Sequence, residues 1–166
     1  MTAIRPGPSM QIREDDLHGP EVVNLIRTHL AASALHSPPE SVHALDIEAL
    51  RAPGVTFWTI WQGAALTGCG GLKELDEEHG EIKSMHTAEA FRGQGVGRRM
   101  LTHIVDQAKR RGYGRLSLET GSMEAFAAAR ALYAGFGFSN CAPFADYKLD
   151  PYSVFMTLDL RMHEPG

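Results

Sequence analysis

The sequence has little cysteine and no long apolar run. Among 166 residues only Cys69 and Cys141 are cysteine, and no C-x-x-C pair occurs. A disulfide framework and a zinc site of paired cysteines are therefore excluded, and a reducing, cytoplasmic setting is expected. No apolar segment reaches the length of a membrane span, about 18 residues, and residues 1–20 hold prolines and charges instead of an apolar core. We therefore expect neither membrane association nor a secretory signal.

Positive charge is scarce as well. Sixteen lysines and arginines stand against 20 aspartates and glutamates, which gives a formal net charge of −4. Proteins that bind nucleic acid usually carry excess positive charge, so we expect no nucleic-acid partner, although arginines cluster around residues 92–99. The length, with 43% hydrophobic and 22% charged residues, is typical of one globular domain. We expect a flexible tail over residues 1–9 and a single domain over residues 10–162.

The most informative stretch covers residues 81–112. A strand-like run, residues 81–87, is followed by a glycine-rich turn over residues 92–97. Next comes an amphipathic helix with an apolar stripe at a period of about 3.6 residues, formed by Val96, Met100, Leu101, Ile104, Val105 and Ala108. Glycines lack Cβ atoms and a helix N-terminus has free N–H groups, so the two together favour anion binding. The stretch therefore predicts a diphosphate site.

Two common phosphate loops do not match this turn. The Walker pattern ends in Gly-Lys-Ser/Thr, whereas the turn ends in Gly97-Arg98-Arg99. The dinucleotide pattern G-x-G-x-x-G places its third glycine at residue 98, which is arginine. Neither a nucleoside-triphosphate loop nor a dinucleotide fingerprint is therefore present.

The remaining patterns predict a mixed α/β (α+β) fold. Apolar residues at helical spacing follow Pro20, and a second helix is expected from Ser41 to Leu50. Ser122 is a plausible N-cap for the last helix. β-rich runs occupy residues 10–13, 55–61, 64–75, 81–87, 115–120 and 153–160. Glycines in the run over residues 64–75 suggest a bulge. The predicted order is β-α-α-β-β-β-α-β-α-β-β.

Two short motifs, together with this order, resemble the GCN5-related N-acetyltransferases, the GNAT family. The R/Q-x-x-G-x-G/A motif has Arg92, Gly95 and Gly97, and the LY…GF element has Leu132, Tyr133, Gly137 and Phe138. The resemblance implies a mixed, mostly antiparallel sheet flanked by about four helices. It also implies acetyl-CoA as cosubstrate, with the coenzyme bound by Met85, His86, Thr87, Arg92, Gly93, Gln94, Gly95, Val96, Gly97 and Arg98.

Acetyl transfer to an amine needs a base, a donor to the carbonyl oxygen and a proton for the departing thiolate. The resemblance implies that the strand before the turn separates from its neighbour at a bulge, where the Met85 N–H serves the carbonyl oxygen. Glu81 resembles the glutamate base of the histone-type members. Strand alternation predicts one shared side for Glu81, Lys83, Met85 and Thr87. His86 and His79 are alternative bases, and a base acting through water is another option.

Three residues of the last helix complete the expected coenzyme site. Tyr133 matches the family tyrosine that protonates the coenzyme sulfur, although its spacing also suits a core aromatic. Phe126 stands where family members often carry an asparagine that contacts the coenzyme, so we expect Phe126 to pack there instead. Arg130 is a candidate to compensate near the phosphates, or else a solvated arginine.

The acceptor pocket is expected between the first two helices and the last strands. The candidates are Ser41, His43, Trp58, Glu119, Asp146, Tyr147 and Ser153. His29, His36 and His43 recur every seven residues, but Pro38-Pro39 interrupts any single helix. We interpret these three as surface histidines and expect no metal site.

The resemblance implies direct acetyl transfer from acetyl-CoA to an amine of a small-molecule acceptor, through a ternary complex. One alternative is a non-catalytic GNAT-fold module that binds acyl-CoA as a sensor or interaction domain. Another is a nucleic-acid-binding domain that uses the arginines of residues 92–111, which the net negative charge disfavours. A homodimer is an option because dimers are common in the family.

Overall fold

Seven strands form a single sheet in the computed structural model, which describes residues 9–36 and 47–161. The strands are β1 (Met10–Glu14), β2 (Val55–Gln62), β3 (Ala65–Asp76), β4 (His79–Thr87), β5 (Arg115–Gly121), β6 (Ser139–Asn140) and β7 (Ser153–Asp159). Their spatial order is β1-β2-β3-β4-β5-β7-β6. All neighbouring pairs are antiparallel except β4 and β5. The predicted mixed, mostly antiparallel sheet is confirmed.

Four α-helices accompany the sheet in the described ranges. They are α1 (Pro20–His36), α2 (Ile47–Leu50), α3 (Val96–Arg110) and α4 (Ala127–Phe136). Single 3-10 turns at Glu89–Phe91 and Glu124–Phe126 precede α3 and α4. The order of elements agrees with the prediction. No helix of residues 9–36 or 47–161 combines the length and hydrophobicity needed to cross a bilayer.

Two apolar clusters cover the two faces of the sheet. On one face α3 and α4 pack on the strands, with Leu101, Ile104 and Leu116 fully buried. On the other face α1 and α2 pack through Ile26 and Leu50. Each such side chain contributes about 1.5–3 kcal/mol on burial. Packing on the sheet, more than intrinsic helix propensity, therefore holds the helices in place.

Glycines of β3 lie directly beneath α3. A Cβ on Gly70 would come within 2.9 Å of Met100 Cγ and 3.0 Å of Ile104 Cδ1. A Cβ on Gly68 would lie 2.7 Å from Val96 Cγ1. β3 still runs through both glycines as a strand of 12 residues. These glycines therefore allow the close approach of α3 to the sheet, a role that the strand pattern alone does not reveal.

Replacing Gly70 with alanine should destabilise the protein by about 1–3 kcal/mol, because the new methyl group overlaps Met100 and Ile104. Thermal unfolding should show this as a lower Tm. Gly135→Ala is the control, since a Cβ on Gly135 in α4 meets nothing within 4 Å and alanine favours helix. An unchanged Tm for Gly70→Ala would contradict the packing argument.

The start of α4 differs from the prediction. Ser122 does not cap the helix: its Oγ donates to the Pro151 carbonyl oxygen at 2.6 Å, and α4 begins only at Ala127. A contact between distant parts of the chain thus replaces the local cap that the sequence favours. Of the helix predicted over Ser41–Leu50, the described part is α2, and residues 37–46 lie outside the described residues.

Candidate active site

A cleft opens where β4 and β5 separate. The two strands pair in parallel only from His79 with Arg115 to Glu81 with Ser117. Beyond Glu81 the strands no longer pair, and a cleft with a volume of about 680 Å³ lies between them. Residues of α1, of the glycine-rich turn and of α4 line its other sides. The cleft thus connects an anion-binding turn with the expected acceptor side of the sheet.

A β-bulge interrupts β4 inside this cleft. Ser84 and Met85 lie opposite the single residue Gly70 of β3, between two regular cross-strand pairs. Ser84 has a φ of 51°, a left-handed conformation that non-glycine residues rarely adopt. Such strained backbone often occurs at functional sites. The bulge expected from the family resemblance is therefore present, one residue before Met85.

The bulge changes which side chains share a face, so the predicted common side for Glu81, Lys83 and Met85 is wrong. Ile82 and Met85 both pack in the cluster beneath α3 and α4, and Met85 Sδ lies 4.0 Å from Tyr133 Oη. Glu81 and Lys83 flank Ile82 in the strand and so point the other way. One inserted residue reverses the alternation for every residue after it.

The turn before α3 presents a row of backbone N–H groups. Gly93 and Gly95 have φ values of 75° and 83°, and Gly95 is the N-cap of α3. Among the described residues, the backbone N–H groups of residues 93–98 make no hydrogen bond to a backbone carbonyl oxygen. The first N–H group after them that makes one belongs to Arg99, which donates to the Gly95 carbonyl oxygen at 3.0 Å. The turn residues in the cleft are Arg92, Gly93, Gly95, Val96, Gly97 and Arg98. This arrangement suits a diphosphate.

Gly97 and Gln94 have separate roles in this turn. A Cβ on Gly97 would lie 3.2 Å from Leu132 Cδ2, so glycine allows α4 to approach α3 closely. The side chain of Gln94 donates from Nε2 to the Ala90 carbonyl oxygen at 3.4 Å, and Gln94 does not line the cleft. A contact between Gln94 and the coenzyme stays a prediction, and it concerns the backbone N–H of Gln94 and not its side chain.

Phe126 and Arg130 shape the end of β5. The ring of Phe126 lies on Gly121, where a Cβ would come within 2.2 Å of the ring carbon Cδ2, and both residues line the cleft. Arg130 Nη1 donates to the carbonyl oxygens of Gly121 (2.7 Å) and Met123 (2.9 Å) and does not line the cleft. Arg130 therefore supports the wall of the cleft, and a phosphate contact for it stays a prediction.

Tyr133 lies where the core meets the cleft. Its hydroxyl points at Met85 Sδ, 4.0 Å away, and its ring packs edge-on against Phe138. Burial raises the pKa of Tyr133 far above its ordinary value, so the hydroxyl keeps its proton at neutral pH. Tyr133 belongs to the core and also lines the cleft, and the two roles considered for it are therefore compatible.

Glu81 lies in a buried ionic cluster. Lys83 Nζ donates to Glu81 Oε2 at 3.0 Å and to Tyr147 Oη at 2.7 Å, and Tyr147 Oη donates to the same carboxylate oxygen at 2.5 Å. Glu81 and Lys83 are 2% and 7% exposed. Lys83 lines the cleft, whereas Glu81 and Tyr147 lie behind it. One oxygen of Glu81 is thus already engaged by two donors, and its role as base stays a prediction.

Among the described residues, Glu119 is the carboxylate that lines the cleft. It follows the part of β5 that pairs with β4, and Ser153 Oγ of β7 donates to its Oε2 at 2.7 Å. Burial raises the pKa of Glu119 to about 7, while the Ser153 hydroxyl and Lys83 act in the opposite direction. A carboxylate with a pKa near neutrality can accept a proton from an amine and release it again. The sequence predicts Glu119 and Ser153 only as acceptor-binding residues.

Other predicted residues lie away from the cleft. His79 Nε2 contacts Ser117 Oγ at 2.7 Å at the start of β4, and burial lowers the pKa of His79. Trp58 is buried beneath α3 against His103, and Asp146 is exposed. Their site roles stay predictions without support from the cleft geometry. The candidates Ser41 and His43 lie outside the described residues.

The sequence patterns do not predict that His29 lines the cleft. It is predicted as a surface histidine, but it lines the cleft and its Nδ1 lies 3.1 Å from Nδ1 of His86. The apolar spacing of α1 is the signal that could have found it, because His29 and Ser33 continue the buried face that begins at Val22 and Ile26. His36 and His43 carry no described side chains.

Comparison with known proteins agrees with this geometry. A profile described as the acetyltransferase (GNAT) family matches residues 22–138. YsnE of Bacillus subtilis, an uncharacterised N-acetyltransferase, is 57% identical over 151 residues, which cover 91% of this chain and 100% of the relative. The family resemblance inferred from the two motifs is therefore confirmed.

Solved structures share the fold over nearly the whole chain. A proposed acyl-CoA N-acyltransferase from Klebsiella pneumoniae has a TM-score of 0.75 at 28% identity, covering 93% of this chain and 99% of its own. A GNAT acetyltransferase from Elizabethkingia anophelis with acetyl-CoA bound has a TM-score of 0.64 at 20% identity, covering 90% and 97%. With the profile match and the YsnE identity, the chain belongs to the GNAT family of acetyltransferases, whose acetyl donor is acetyl-CoA.

Proposed function

We propose that the protein transfers the acetyl group of acetyl-CoA directly to an amine of a small-molecule acceptor in a ternary complex. The observation that carries this proposal is the continuity of the cleft. At one end it has the open N–H groups of the glycine-rich turn, and along it lie Met85, Tyr133 and Glu119. One cavity thus brings together groups suited to bind a diphosphate, to donate a proton and to accept one, and acyl transfer to an amine requires all three.

The residues of the turn fit the coenzyme. The N–H groups of residues 93–98 and the guanidinium groups of Arg92 and Arg98 would hold the diphosphate. The unpaired edge of β4 around the Ser84 bulge would bind the pantetheine arm, with the Met85 N–H directed to the carbonyl oxygen of the thioester. The coenzyme supplies the activated acetyl group, and these residues position it.

Glu119 is the base that the geometry favours. It would accept the proton that the acceptor amine loses as its nitrogen bonds to the acetyl carbon, and Ser153 holds the carboxylate in place. Glu81 remains the alternative, with its proton path through Lys83 or Tyr147. Of the two cysteines, Cys69 donates to the Ser84 carbonyl oxygen at 3.3 Å, and neither lines the cleft. A thiol-bound acetyl intermediate therefore has no support in the described residues.

Tyr133→Phe should lower kcat by about tenfold or more and leave the coenzyme Kd nearly unchanged, because it removes only the hydroxyl that protonates the departing sulfur. The measurement is steady-state turnover beside calorimetric binding of coenzyme A. Tyr113→Phe is the matched control, a buried tyrosine outside the cleft whose hydroxyl donates to Glu74. Weaker coenzyme binding at unchanged kcat would instead show that the Tyr133 hydroxyl supports the packing of the coenzyme site and does not donate a proton.

Release of the coenzyme A thiol across a panel of amines tests the proposed function itself. Acceptor-dependent release with intersecting initial-rate patterns would support transfer in a ternary complex. Tight coenzyme binding without release under any amine would favour the alternative, a non-catalytic module that binds acyl-CoA. A homodimer, a cytoplasmic location and the lack of a nucleic-acid partner stay predictions from the sequence.

A further inference from the structure

The side of the cleft next to α1 contains a pair of facing histidines. Nδ1 of His29 on α1 lies 3.1 Å from Nδ1 of His86 on β4, with the rings edge to face at 5.0 Å. A hydrogen bond at this distance requires one ring to donate and the other to accept, so at most one of the two rings is doubly protonated. Burial and the neighbouring ring lower the pKa of His29 to about 4, and burial and Arg92 lower that of His86. Both rings are therefore neutral at physiological pH.

Two polar atoms beside this pair have no hydrogen-bond partner. They are His86 Nε2 and Ser84 Oγ, both buried, and neither meets an acceptor or donor within the described residues. Both residues line the cleft. A buried polar group without a partner destabilises the fold, so native structures usually supply a partner from water or ligand. These atoms therefore mark a place where a ligand group can be recognised.

The charges around this place are balanced except for one carboxylate. The charged cleft residues outside the glycine-rich turn are Lys83 and Glu119, among those that the structure describes. Arg92 of that turn also lowers the pKa of His86, and in the proposed complex the coenzyme diphosphate would balance its charge. Lys83 is neutralised by Glu81 and held by Tyr147. An acceptor that brings one ammonium group to Glu119 thus meets a matching charge, whereas an additional carboxylate on the acceptor meets no unpaired cation there.

From this arrangement we infer that His29, Ser84 and His86 form a subsite for an uncharged hydrogen-bonding group of the acceptor. The acceptor class is then a small primary amine that also carries a hydroxyl or a carboxamide, in preference to a plain alkylamine or an amino acid. The inference rests on the proposed acetyltransferase function, and it assigns specificity to residues outside the proposed acid and base.

The size of the preference for a polar amine over an alkylamine can be estimated from the unpaired groups. An acceptor without the polar group leaves His86 Nε2 and Ser84 Oγ unpaired in a dehydrated cleft, and sites built around such groups reject the apolar analogue strongly. We expect kcat/KM for the polar amine to exceed that for the alkyl analogue by about tenfold or more. The amino acid should be slower still, because its carboxylate lies near Glu119 and near two neutral rings.

The experiment compares four probes of similar size: 2-aminoethanol, glycinamide, propylamine and glycine. The readout is the ratio of kcat/KM for each polar amine to that for propylamine, in the wild type and in variants. Dividing the variant ratio by the wild-type ratio cancels the intrinsic reactivity of each amine. His29→Leu and His86→Leu should bring the ratio down by about tenfold, and His86→Gln should restore part of it. His103→Leu, a histidine with an unpartnered Nε2 outside the cleft, should leave the ratio unchanged.

Three outcomes would overturn the inference. Equal kcat/KM values of the wild type for propylamine, 2-aminoethanol and glycinamide would show that the subsite does not exist. A preference of the wild type for glycine would show the same. Histidine variants that lower turnover of all probes equally would show a structural role only. A wild type that binds coenzyme A but releases no thiol with any of the amines would overturn the proposed function, and the inference with it, so the two failures are distinguishable.

Discussion

Gly95→Glu should weaken coenzyme A binding by more than about 100-fold. The substitution puts a carboxylate among the N–H groups of residues 93–98, where it repels the diphosphate and competes for the same donors. The φ of 83° at Gly95 adds strain for any residue with a Cβ. Isothermal titration calorimetry with coenzyme A gives the affinity, and a loss of charge-assisted hydrogen bonds worth about 3 kcal/mol corresponds to about 100-fold.

The matched control lies at the other end of the same helix. Gly112 follows α3 with a φ of 85°, and a Cβ there meets nothing within 4 Å, as at Gly95. Gly112→Glu therefore carries a similar backbone cost without touching the cleft, and it should bind coenzyme A like the wild type. Equal affinities for Gly95→Glu, Gly112→Glu and the wild type would show that the turn does not hold the diphosphate.

Glu119→Gln should lower kcat/KM for the acceptor by about 100-fold and abolish the acidic limb of its pH profile. In the wild type the rate should rise with pH through about 7, because the carboxylate becomes able to accept a proton only above the pKa of Glu119. An amide cannot take this proton at any pH. Initial rates from pH 5.5 to 9 measure both effects.

Two companion variants separate Glu119 from its rival. Ser153→Ala removes the hydroxyl that lowers the pKa of Glu119, so the acidic limb should move to higher pH while the maximal rate changes less. Glu81→Gln should retain an acidic limb if Glu119 is the base. A limb that disappears in Glu81→Gln and survives in Glu119→Gln would assign the proton transfer to Glu81 instead.

The raised pKa of Glu119 also makes the stability of the folded protein depend on pH. Burial raises the pKa of Glu119 in the folded protein to about 7, above its ordinary value of 4.5. The folded state therefore binds the proton more tightly, and this contribution to stability is present below about pH 4.5 and lost as pH rises through about 7. Between about pH 4.5 and 7 the Tm of the wild type should fall relative to the Tm of Glu119→Gln. A cooperative melting curve of Glu119→Gln also shows that the variant folds.

The glycine-rich turn and the helix that follows it could be predicted from local sequence patterns. The glycine spacing in residues 92–97 and the amphipathic stripe of α3 are local patterns, and backbone N–H groups at a helix N-terminus bind anions whatever surrounds them. Tyr133 and the order of strands and helices were likewise readable, because period and turn residues act over short distances. The family membership followed from these local features.

The surroundings of Glu119 and His29 could not be predicted in this way, because they form only when the chain folds. The family resemblance implies a bulge in this strand, but no pattern in residues 81–87 places it at Ser84, and this one residue moves Met85 away from the face of Glu81 and Lys83. The pKa of Glu119 depends on burial between strands that are far apart in sequence. His29 and His86 are 57 positions apart and meet because α1 packs on the sheet. Burial, register and long-range contact are properties of the assembled chain, and no local spacing encodes them.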